Sequence, residues 1–550
     1  MRQRVLRIHP DDNVIVALDQ LTAGEKVQLQ SETYEICQDI PAKHKFAQTN
    51  FYPGDSIIMY GVRVGKAVQK IHQGEAISTQ NIHHDAERYD LREKQYQWFA
   101  PAVSQWQNVT FNGYHRTDGK VGVANYWLVI PLVFCENRNL EVMREALVKE
   151  LGYNRSRSHR FDVQTLVEQY QSGASVDSLL ATPIALSSET VNHRRTFPNV
   201  DGVQFLTHEG GCGGTRQDAQ TLCALFAGYI THANVAGATV LSLGCQNAED
   251  KILLEEINKR DANFGKPLYI LEQQQSSSEE EFLEEAIKKT FVGLTIADQV
   301  ERKPAPLSKL VVGLECGGSD GFSGISANPS VGHAADLLVA LGGSVILSEF
   351  PELCGVEQEL TDRCTDPATA ERFISIMRAY SRRAEEAGSG FDMNPSPGNI
   401  KDGLITDAIK SAGAAKKGGT SPVVDVLDYP EPVSKPGLTL LCTPGNDVES
   451  TTGLAGSGAT IILFTTGLGT PTGNAVAPTL KIASNTTLAR RMSDIIDIDT
   501  GTVISGEDTI ESKGEEILDF IIRTAGGDYT PKAVRLGQHD FIPWKRGVSL

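Results

Sequence analysis

The chain has 550 residues, enough for more than one domain at about 100–200 residues each. Its formal net charge of −18 argues against nucleic acid or an anionic membrane as a partner. The N-terminus lacks an apolar segment and no apolar run approaches the length of a membrane span, so we expect neither a signal peptide nor a membrane anchor. The nine cysteines are an odd and scattered set, which indicates a reduced cytoplasm rather than a disulfide framework.

The first 85 residues predict a compact β domain. β-rich runs at residues 14–18 and 56–60 are separated by glycine turns, and little of the segment has helical spacing. The loop at residues 39–46 has a polar tip, where His44 is a candidate proton-transfer residue, although a solvated loop histidine fits equally well. Residues 86–108 are charged and aromatic, and we expect a linker with some helix that lets this domain fold back over the sheet edge and bring His44 to the site.

Residues 109–299 predict a first α/β domain with a mostly parallel sheet, because strands and amphipathic helices alternate. Predicted strands at residues 126–133, 202–206 and 238–243 each lead into a polar loop. A cysteine lies just past each of these strands, at Cys135, Cys212 and Cys245.

Residues 300–550 predict a second, C-terminal α/β domain, and its first residues, 300–308, contain prolines and predict a connector. A buried strand at residues 310–314 leads into Glu315, Cys316 and a glycine-rich polar loop, and a helix follows. Ligands of open α/β sheets bind beyond the carboxyl ends of the strands, so this loop is a candidate ligand site. A tight turn around an inert buried thiol is the alternative.

Four cysteines, Cys135, Cys212, Cys245 and Cys316, thus follow apolar strands. If the strands are parallel, the loops open on one side and the thiols can converge on a metal, for which thiolates select zinc, copper(I) or iron. Four inert core cysteines are the alternative. No CxxC spacing supports a structural zinc site, and no glycine-rich loop has a Walker or dinucleotide fingerprint.

Other polar residues suit a small polyhydroxylated acid. Arg116 can pair with a carboxylate through two hydrogen bonds, and Asn125, Asn328 and Ser319 can bind hydroxyls. Lys481 could pair with a carboxylate or an enolate, although a solvated surface lysine is the commoner outcome.

Five segments carry a resemblance to a known family: GYHRTDGKVGVANYWLVIP, LECGGSDGFSGISANP, NPSPGN, LCTPGNDVESTTGLAGSGA and PTLKIASNT. They resemble the altronate and galactarate dehydratase family, and the resemblance covers nearly the whole chain. The chain departs from the family pattern at residues 134–137 and between His208 and Cys212. The resemblance implies an N-terminal all-β SAF (β-clip) domain followed by α/β Rossmann-like domains with mostly parallel sheets.

The resemblance also implies dehydration of a hexonate, D-altronate to 2-dehydro-3-deoxy-D-gluconate, in hexuronate catabolism with ferrous iron. An iron–sulfur cluster remains open as a variant, because iron dependence and four cysteines fit both. We expect a cytoplasmic homo-oligomer that takes a small sugar acid. The predicted site residues are His44, His208, Glu315 and Lys481 for proton transfer, Lys45, Arg116, Asn125, Ser319, Asp320 and Asn328 for substrate, and Cys135, Cys212, Cys245 and Cys316 for metal.

Three other functions remain open at this point. A lyase of the same scaffold could act on galactarate or on a sulfonated hydroxy acid. The chain could instead bind a sugar acid without turnover, or it could be a redox enzyme with an iron–sulfur centre.

Overall fold

The computed structural model describes residues 3–92, 96–153, 160–186 and 194–549. No helix in this part of the chain combines the length and apolarity needed to cross a membrane. All nine cysteines lie within it and are free thiols.

Residues 3–85 form a domain of short antiparallel strands without a helix, as predicted. Ile15 and Phe46 lie opposite each other on two paired strands and are fully buried, which fixes the start of the strand that follows the His44 loop. The strands are β1 (Val5–Leu6), β2 (Val14–Ala17), β3 (Lys26–Leu29), β4 (Glu32–Glu35), β5 (Lys45–Ala47), β6 (Ser56–Met59), β7 (Val62–Ala67), β8 (Ala76–Ile77) and β9 (Ile82–His83). They form sheets in the orders β1-β2-β5-β8 and β6-β7-β9, with β3-β4 as a separate pair.

The linker contains no helix between residues 86 and 108 in the part that the structure describes, so the predicted helical content is wrong there. Residues 93–95 lie outside the described residues. The extended chain instead lies along the C-terminal domain. The Arg378 guanidinium donates to the Tyr89 carbonyl at 2.9 Å, and the Tyr96 hydroxyl donates to the Thr420 carbonyl at 2.6 Å. These contacts with another domain outweigh local helical propensity.

The second domain is built on a parallel sheet, as predicted. Every residue of its central strand is buried, because helices cover both faces of the sheet. Its elements are β10 (Thr110–His115), β11 (Val121–Gly122), β12 (Tyr126–Pro131), α1 (Asn137–Val148), β13 (Arg160–Phe161), α2 (Val163–Gln171), α3 (Val176–Ala181), β14 (Ala185–Leu186), β15 (Gly202–Phe205), α4 (Arg216–Ile230), β16 (Val235–Ser242), α5 (Asp250–Arg260), β17 (Leu268–Glu272) and α6 (Glu279–Ala297). The parallel sheet has the order β15-β12-β16-β17.

The segment predicted as a connector near residue 300 contains a strand, β18 (Arg302–Pro306), which pairs antiparallel with β10. Two prolines had argued against a strand. They are tolerated because β18 is the edge of the sheet β11-β10-β18, where one side of the strand needs no ladder hydrogen bonds.

The third domain holds the larger sheet, with seven parallel strands in the order β21-β22-β20-β19-β23-β24-β25. Its carboxyl edge collects the loops that follow each strand, which is where ligands of such sheets bind. Its elements are β19 (Val311–Cys316), α7 (Ala327–Ala340), β20 (Ser344–Leu347), α8 (Glu357–Asp362), α9 (Pro367–Glu386), α10 (Pro397–Lys401), α11 (Asp407–Ala414), β21 (Val423–Leu427), β22 (Gly437–Leu441), α12 (Asp447–Gly456), β23 (Ile461–Thr466), β24 (Thr479–Ala483), α13 (Thr486–Arg491), β25 (Ile498–Asp499), α14 (Gly501–Ser505), α15 (Ile510–Gly526) and α16 (Lys532–Leu536).

The second and third domains share one apolar core. Leu128 and Ile130 of β12 belong to the same buried cluster as Leu441, Leu454 and Ile462 of the third domain. At the amino edges of the two sheets, the Asn234 amide donates to the Thr460 carbonyl at 2.9 Å and to the Val476 carbonyl at 2.8 Å. Burial of this apolar surface holds the two sheets in a fixed relation.

Candidate active site

Three buried side chains meet at the carboxyl edge of the third domain's sheet. Cys316 ends β19, Glu349 follows β20, and Glu352 lies in the short helical turn after it. One ligand atom from each of these residues lies within 4.8 Å of the other two, and all three residues are buried. We refer to Cys316, Glu349 and Glu352 as the thiol–carboxylate cluster.

Hydrogen bonds hold the cluster together. The Cys316 thiol donates to Glu352 Oε2 at 3.0 Å, and the Cys316 backbone N–H donates to Glu349 Oε2 at 3.1 Å. Glu349 adopts a left-handed backbone conformation with φ of +64°. That conformation is unfavourable for any residue other than glycine. It is found where the surrounding structure imposes it, often at functional sites.

Two lysines compensate the charge of the cluster. Lys417 Nζ lies 2.7 Å from Glu349 Oε2, and Lys410 Nζ lies 2.7 Å from Glu352 Oε1. Burial opposes the charge of Lys417, but the neighbouring Cys316 and Glu349 outweigh it and raise the pKa of Lys417 well above its ordinary value. Burial likewise opposes ionisation of Glu352, but Lys410 and Lys417 lower its pKa. Glu352 is therefore held as a carboxylate.

The cluster fits a divalent transition metal. Within the described residues, Glu349 Oε1 is buried without a hydrogen-bond partner, and so is Oε1 of the adjacent Glu315. Buried carboxylate oxygens are normally paired with donors or cations, so a cation would satisfy them. A set of one sulfur and two carboxylate donors suits iron or zinc better than magnesium or calcium, which prefer oxygen alone.

Two acidic side chains near the cluster have perturbed pKa values. Burial and the neighbouring Glu349 raise the pKa of Glu315 well above its ordinary value, and the Ser450 hydroxyl donates to Glu315 Oε2 at 2.6 Å. Burial and Glu349 also raise the pKa of Asp447 to about 7. Asp447 contacts the glycine-rich loop so closely that a Cβ on Gly317 would lie 2.0 Å from Asp447 Oδ2.

Lys481 is buried on β24 rather than solvated on the surface. Its Nζ donates to the Thr470 carbonyl at 2.5 Å and lies 4.5 Å from the centre of the Phe464 ring. Burial lowers the pKa of Lys481 to about 7. The role of Lys481 in proton transfer stays a prediction, but the structure gives it the perturbed environment that such a role requires.

The loop before β5 of the first domain reaches the third domain. Lys43 Nζ lies 2.9 Å from Asp320 Oδ2, a His44 ring nitrogen lies 3.0 Å from the Lys401 carbonyl, and Lys45 Nζ donates to the Gly403 carbonyl at 2.6 Å. Lys45 is fully buried, and burial lowers its pKa to about 7. The first domain thus lies over the sheet edge as expected, and His44 lies beside α10.

Three predicted substrate ligands hold the loops of the third domain in place. Asp320 accepts hydrogen bonds from Ser323 and from the Ser484 hydroxyl, the latter at 2.7 Å. Asn328 accepts from the Thr465 hydroxyl at 2.7 Å and donates to the Gly413 carbonyl at 3.0 Å. The Ser319 carbonyl accepts from the Asn399 amide at 2.8 Å, and its buried hydroxyl lies at the same loop. Their binding of substrate stays a prediction.

The structure does not bring Arg116 and Asn125 to the carboxyl edge. Asn125 directly precedes β12, at the amino edge of the second sheet, and its Oδ1 accepts from Arg116 at 2.9 Å. Arg116 Nε donates to the Ala233 carbonyl, and Asn125 Nδ2 donates to the Asn199 carbonyl. These polar groups bond to each other and to backbone carbonyls at the amino end of the strand, and their binding of substrate stays a prediction.

His208 lies in the second domain, and both of its ring nitrogens are engaged. Nε2 lies 2.7 Å from the Pro131 carbonyl, and Nδ1 accepts the Gly210 N–H at 2.9 Å. Burial lowers the pKa of His208 to about 4, so the ring is neutral at pH 7. Both ring nitrogens thus contact backbone groups in this structure, and the role of His208 in proton transfer stays a prediction.

The four predicted thiol ligands are divided between the two parallel sheets. Cys316 belongs to the third domain, whereas Cys135, Cys212 and Cys245 are exposed in loops of the second. In the described residues the four sulfurs do not form one group within 4.8 Å, so they do not lie at the spacing that a single ion requires. The loops open at the carboxyl edges of two different sheets, which explains the separation.

Sequence reasoning missed most residues around Cys316. Glu349 and Glu352 follow a strand just as Glu315 does, and that position could have indicated them. Lys410 lies on α11 and Lys417 just after it. No local sequence pattern indicates either lysine, because their carboxylate partners are more than 50 residues away. Asp447 opens α12 next to the helix cap Asn446, where an acidic residue is ordinarily explained by the helix dipole.

Comparisons with known proteins agree with this architecture. The altronate/galactarate dehydratase SAF domain matches residues 3–85, the D-galactarate dehydratase/altronate hydrolase second domain matches residues 113–298, and the D-galactarate/altronate dehydratase C-terminal domain matches residues 307–549. The predicted fold, an SAF domain followed by α/β domains with parallel sheets, is thereby confirmed.

Full-length relatives point the same way. The chain is 34% identical over 546 residues to the altronate dehydratase of Escherichia coli (strain K12) and 33% identical over 555 residues to that of Bacillus subtilis (strain 168), in each case over 99% of both chains. It is 29% identical over 547 residues to the galactarate dehydratase (L-threo-forming) of Escherichia coli (strain K12), over 97% of this chain and 95% of the relative. The chain therefore belongs to the galactarate/altronate dehydratase family.

Proposed function

We propose that the chain is an altronate dehydratase, a hydro-lyase that converts D-altronate to 2-dehydro-3-deoxy-D-gluconate in hexuronate catabolism. Identity supports this substrate, since two relatives named altronate dehydratase are 33% and 34% identical and the galactarate enzyme is 29% identical. The observation that carries the chemistry is the buried thiol–carboxylate cluster at the carboxyl edge of the larger sheet.

Dehydration of a hexonate has two difficult parts. The C2 proton beside a carboxylate is weakly acidic, so its removal needs a base and a positive charge near the developing enediolate. The C3 hydroxyl is a poor leaving group and needs protonation or a Lewis acid. Ferrous iron, when held by Cys316, Glu349 and Glu352, supplies that Lewis acid.

Asp447 is the proposed base for the C2 proton. Because its pKa is about 7, both the acid and the carboxylate form of Asp447 are populated at neutral pH. A pKa close to the working pH is favourable for general base catalysis. It is only partly buried and contacts the glycine-rich loop at Gly317, so a ligand in that loop can reach it.

Glu315 is the proposed acid for the C3 hydroxyl. Burial and the neighbouring Glu349 raise its pKa, so it keeps its proton at neutral pH. The Ser450 hydroxyl donates to one carboxyl oxygen of Glu315, while the other is buried without a donor partner within the described residues. Lys410 lies against Glu352 and Lys417 against Glu349, and each lysine favours the ionised form of its carboxylate partner while its own pKa is raised.

A substrate panel tests the proposal. The full-length protein is incubated anaerobically with ferrous iron and reductant, and 2-keto acid formation is measured with altronate, galactarate and sulfolactate. We expect kcat/KM for altronate to exceed that for the other two by at least about tenfold. A preference for galactarate or sulfolactate would reassign the substrate, and binding without turnover of any of the three would favour a non-catalytic sugar-acid protein.

Location and assembly belong to the same proposal. The nine free thiols suit a reduced cytoplasm. The exposed apolar side chains of Phe161, Tyr170 and Leu180 around α2 and α3 support a contact between copies of the chain in a homo-oligomer.

A further inference from the structure

Three exposed cysteines gather at the carboxyl edge of the second domain's sheet. Cys135 follows β12, Cys212 follows β15 and Cys245 follows β16, and β12 is the strand between the other two. These are three of the four exposed cysteines in the chain, since the remaining one, Cys37, lies in the first domain. We refer to Cys135, Cys212 and Cys245 as the thiol triad.

Backbone hydrogen bonds tie the three loops to one another. The Phe134 N–H donates to the Gly210 carbonyl at 3.1 Å, and the Asn247 N–H donates to the Gly211 carbonyl at 3.0 Å. Each cysteine of the triad is at most two residues from one of these bonds, and consecutive Cα atoms are only about 3.8 Å apart. The three thiols therefore stay close to one another.

Gly211 makes this approach possible. Its φ is +95°, and a Cβ on it would lie 2.1 Å from the Leu132 carbonyl at the end of β12. Only glycine can adopt that conformation and that contact at little cost. The glycine presses the loop of Cys212 onto the strand that leads to Cys135.

The spacing of the thiols argues against a single ion. The thiol–carboxylate cluster is the only group of three ligand atoms within 4.8 Å among the described residues, so the sulfurs of the triad are spread more widely than that. A single tetrahedral ion with metal–sulfur bonds of about 2.3 Å holds its sulfurs only about 3.8 Å apart. A larger centre that offers a separate iron to each thiolate fits the wider spacing.

The surroundings also suit such a centre. The Gln274 amide donates to the Cys245 sulfur at 3.2 Å, and hydrogen bonds to cysteine sulfur are a common way to tune iron–sulfur clusters. Cys212 lines a cavity of about 820 Å³ that is closed on one side by the C-terminal residues 541–545. The 15-residue helix α4 begins at the same cavity, and its positive end favours the negative charge of thiolates.

We propose that the thiol triad binds a [4Fe–4S] cluster whose fourth iron faces the cavity and takes an oxygen ligand. In such a cluster each iron takes one protein ligand, so three thiolates leave one iron open. A cluster of two ferrous irons, two ferric irons and four sulfides has the charge that dithionite can reduce by one electron; its binding releases the three thiol protons and changes no oxidation state. This site is separate from the thiol–carboxylate cluster and does not depend on the substrate proposed above.

The test is anaerobic reconstitution of the full-length protein with equal amounts of ferrous and ferric iron and with sulfide, followed by gel filtration. We expect about four acid-labile sulfides per chain and a broad visible absorption that dithionite bleaches. Cys135→Ala, Cys212→Ala and Cys245→Ala should each lose both signals. Alanine is used because a serine oxygen can also bind iron, and exposed positions tolerate it without loss of the fold, which circular dichroism verifies.

Two matched variants complete the test. Cys37→Ala removes the other exposed thiol, and Cys316→Ser alters the thiol–carboxylate cluster; both should keep the sulfide and the visible absorption. A third variant combines the alanine substitutions at Cys135, Cys212 and Cys245. Absence of sulfide from the wild type, or persistence of the visible absorption in this triple variant, would overturn the proposal. Turnover of altronate without any cluster would overturn the cluster and leave the proposed function standing. A cluster that depends on the thiol triad, without turnover of altronate, would support the cluster and overturn the proposed function.

Discussion

Glu349 combines three features that rarely occur in one residue. It is fully buried, it has a left-handed backbone, and one of its carboxylate oxygens has no partner within the described residues. Each feature alone is unfavourable for the folded state. Their combination next to Cys316 is explained if the residue is held in place to bind a cation.

Glu349→Gln separates the structural role of this residue from its role toward a metal. Breaking the buried pair with Lys417 should lower the free energy of unfolding by about 3–5 kcal/mol, because a buried lysine loses its counter-charge. The double variant Glu349→Gln/Lys417→Met should recover most of that stability but not the affinity for iron. Denaturant unfolding measures the effect on stability, and metal titration measures the effect on iron affinity.

As a control, Glu431→Gln breaks the exposed pair with Arg372 and should lower the free energy of unfolding by less than about 1 kcal/mol. Recovery of iron affinity in the double variant would contradict a ligand role.

Asp447→Asn tests the proposed base. The variant should lower kcat by about 10²- to 10⁴-fold, the usual contribution of a positioned base. In the wild type, kcat/KM should rise with pH through about 7, because Asp447 must lose its proton to act and its pKa is about 7. The variant should lose that acidic limb. The partly buried Glu449 on the same helix is a matched control, and Glu449→Gln should keep the limb. An unchanged pH profile in Asp447→Asn would exclude it as the base.

At this scale the sequence predicted only part of the site. Glu315 and Cys316 could be recognised because a buried strand ends in a glycine-rich polar loop. Arg116 and Asn125 were chosen because their residue types suit a hydroxy acid, while their position at the amino end of β12 depends on the boundary of that strand. Lys410 and Lys417 were missed because only tertiary packing shows which side chains of α11 and the turn after it face the sheet.

Among the elements, the loop before β5 has the most direct effect on the site. Lys43, in a left-handed conformation with φ of +75°, reaches both Asp320 and Asp402, and Lys45 is buried against Gly403. The loop therefore positions α10 and the glycine-rich loop together. The sequence indicated a functional tip here, but it could not show that lysines flanking His44 make the contact.

Lys45→Met tests that contact through pH. The pKa of Lys45 is about 7 in the folded protein and 10.5 for an ordinary solvated lysine, so the unfolded chain binds more protons between these pH values. The free energy of unfolding of the wild type should therefore rise with pH across this window. Lys45→Met removes that term, so its stability relative to the wild type should be greatest near pH 7 and fall toward pH 10.5.

Denaturant unfolding at about pH 7, 8, 9 and 10 measures the difference in the free energy of unfolding between Lys45→Met and the wild type. These pH values span the interval between the two pKa values of Lys45. Lys70→Met, at an exposed position of the same domain, should show no such trend. A difference between Lys45→Met and the wild type that stays constant with pH would mean that Lys45 is charged and solvated in the folded protein.

Strand β18 illustrates the limit of sequence patterns for elements. Pro304 and Pro306 made residues 300–308 look like a connector, yet the segment pairs over five residues with β10. The parallel strands were predicted more easily because long apolar runs between polar loops are distinctive. An edge strand has a weaker pattern, and only its partner strand reveals it.

At the scale of the whole molecule, the C-terminal segment joins the second and third domains. Arg546 makes two hydrogen bonds to Asp428, at 2.9 and 2.6 Å, and lies 4.2 Å from the centre of the Trp544 ring. The backbone N–H groups of Arg546 and Gly547 both donate to Asp218 on α4. The segment therefore connects the end of β21 with the helix that borders the cavity.

Arg546→Ala should loosen this connection. We expect the free energy of unfolding to fall by about 1–2 kcal/mol, because hydrogen bonds to a charged group are lost at a partly buried position. Limited proteolysis should then cut the chain near residue 541 faster than in the wild type. Lys251→Ala removes an exposed charge on α5 and should leave both the stability and the cleavage rate unchanged. Equal cleavage of Arg546→Ala and the wild type would show that the apolar contacts of the segment suffice.

Both seams between the domains are apolar, and this limits how a sugar acid can enter. Leucines and isoleucines shared by both parallel sheets join the second domain to the third. The SAF domain shares another buried cluster with the third domain, to which Ile57, Val64, Ile325 and Leu404 all belong. Parting either seam would expose a continuous apolar surface to water, so we expect the SAF domain to stay docked while a hexonate enters and leaves.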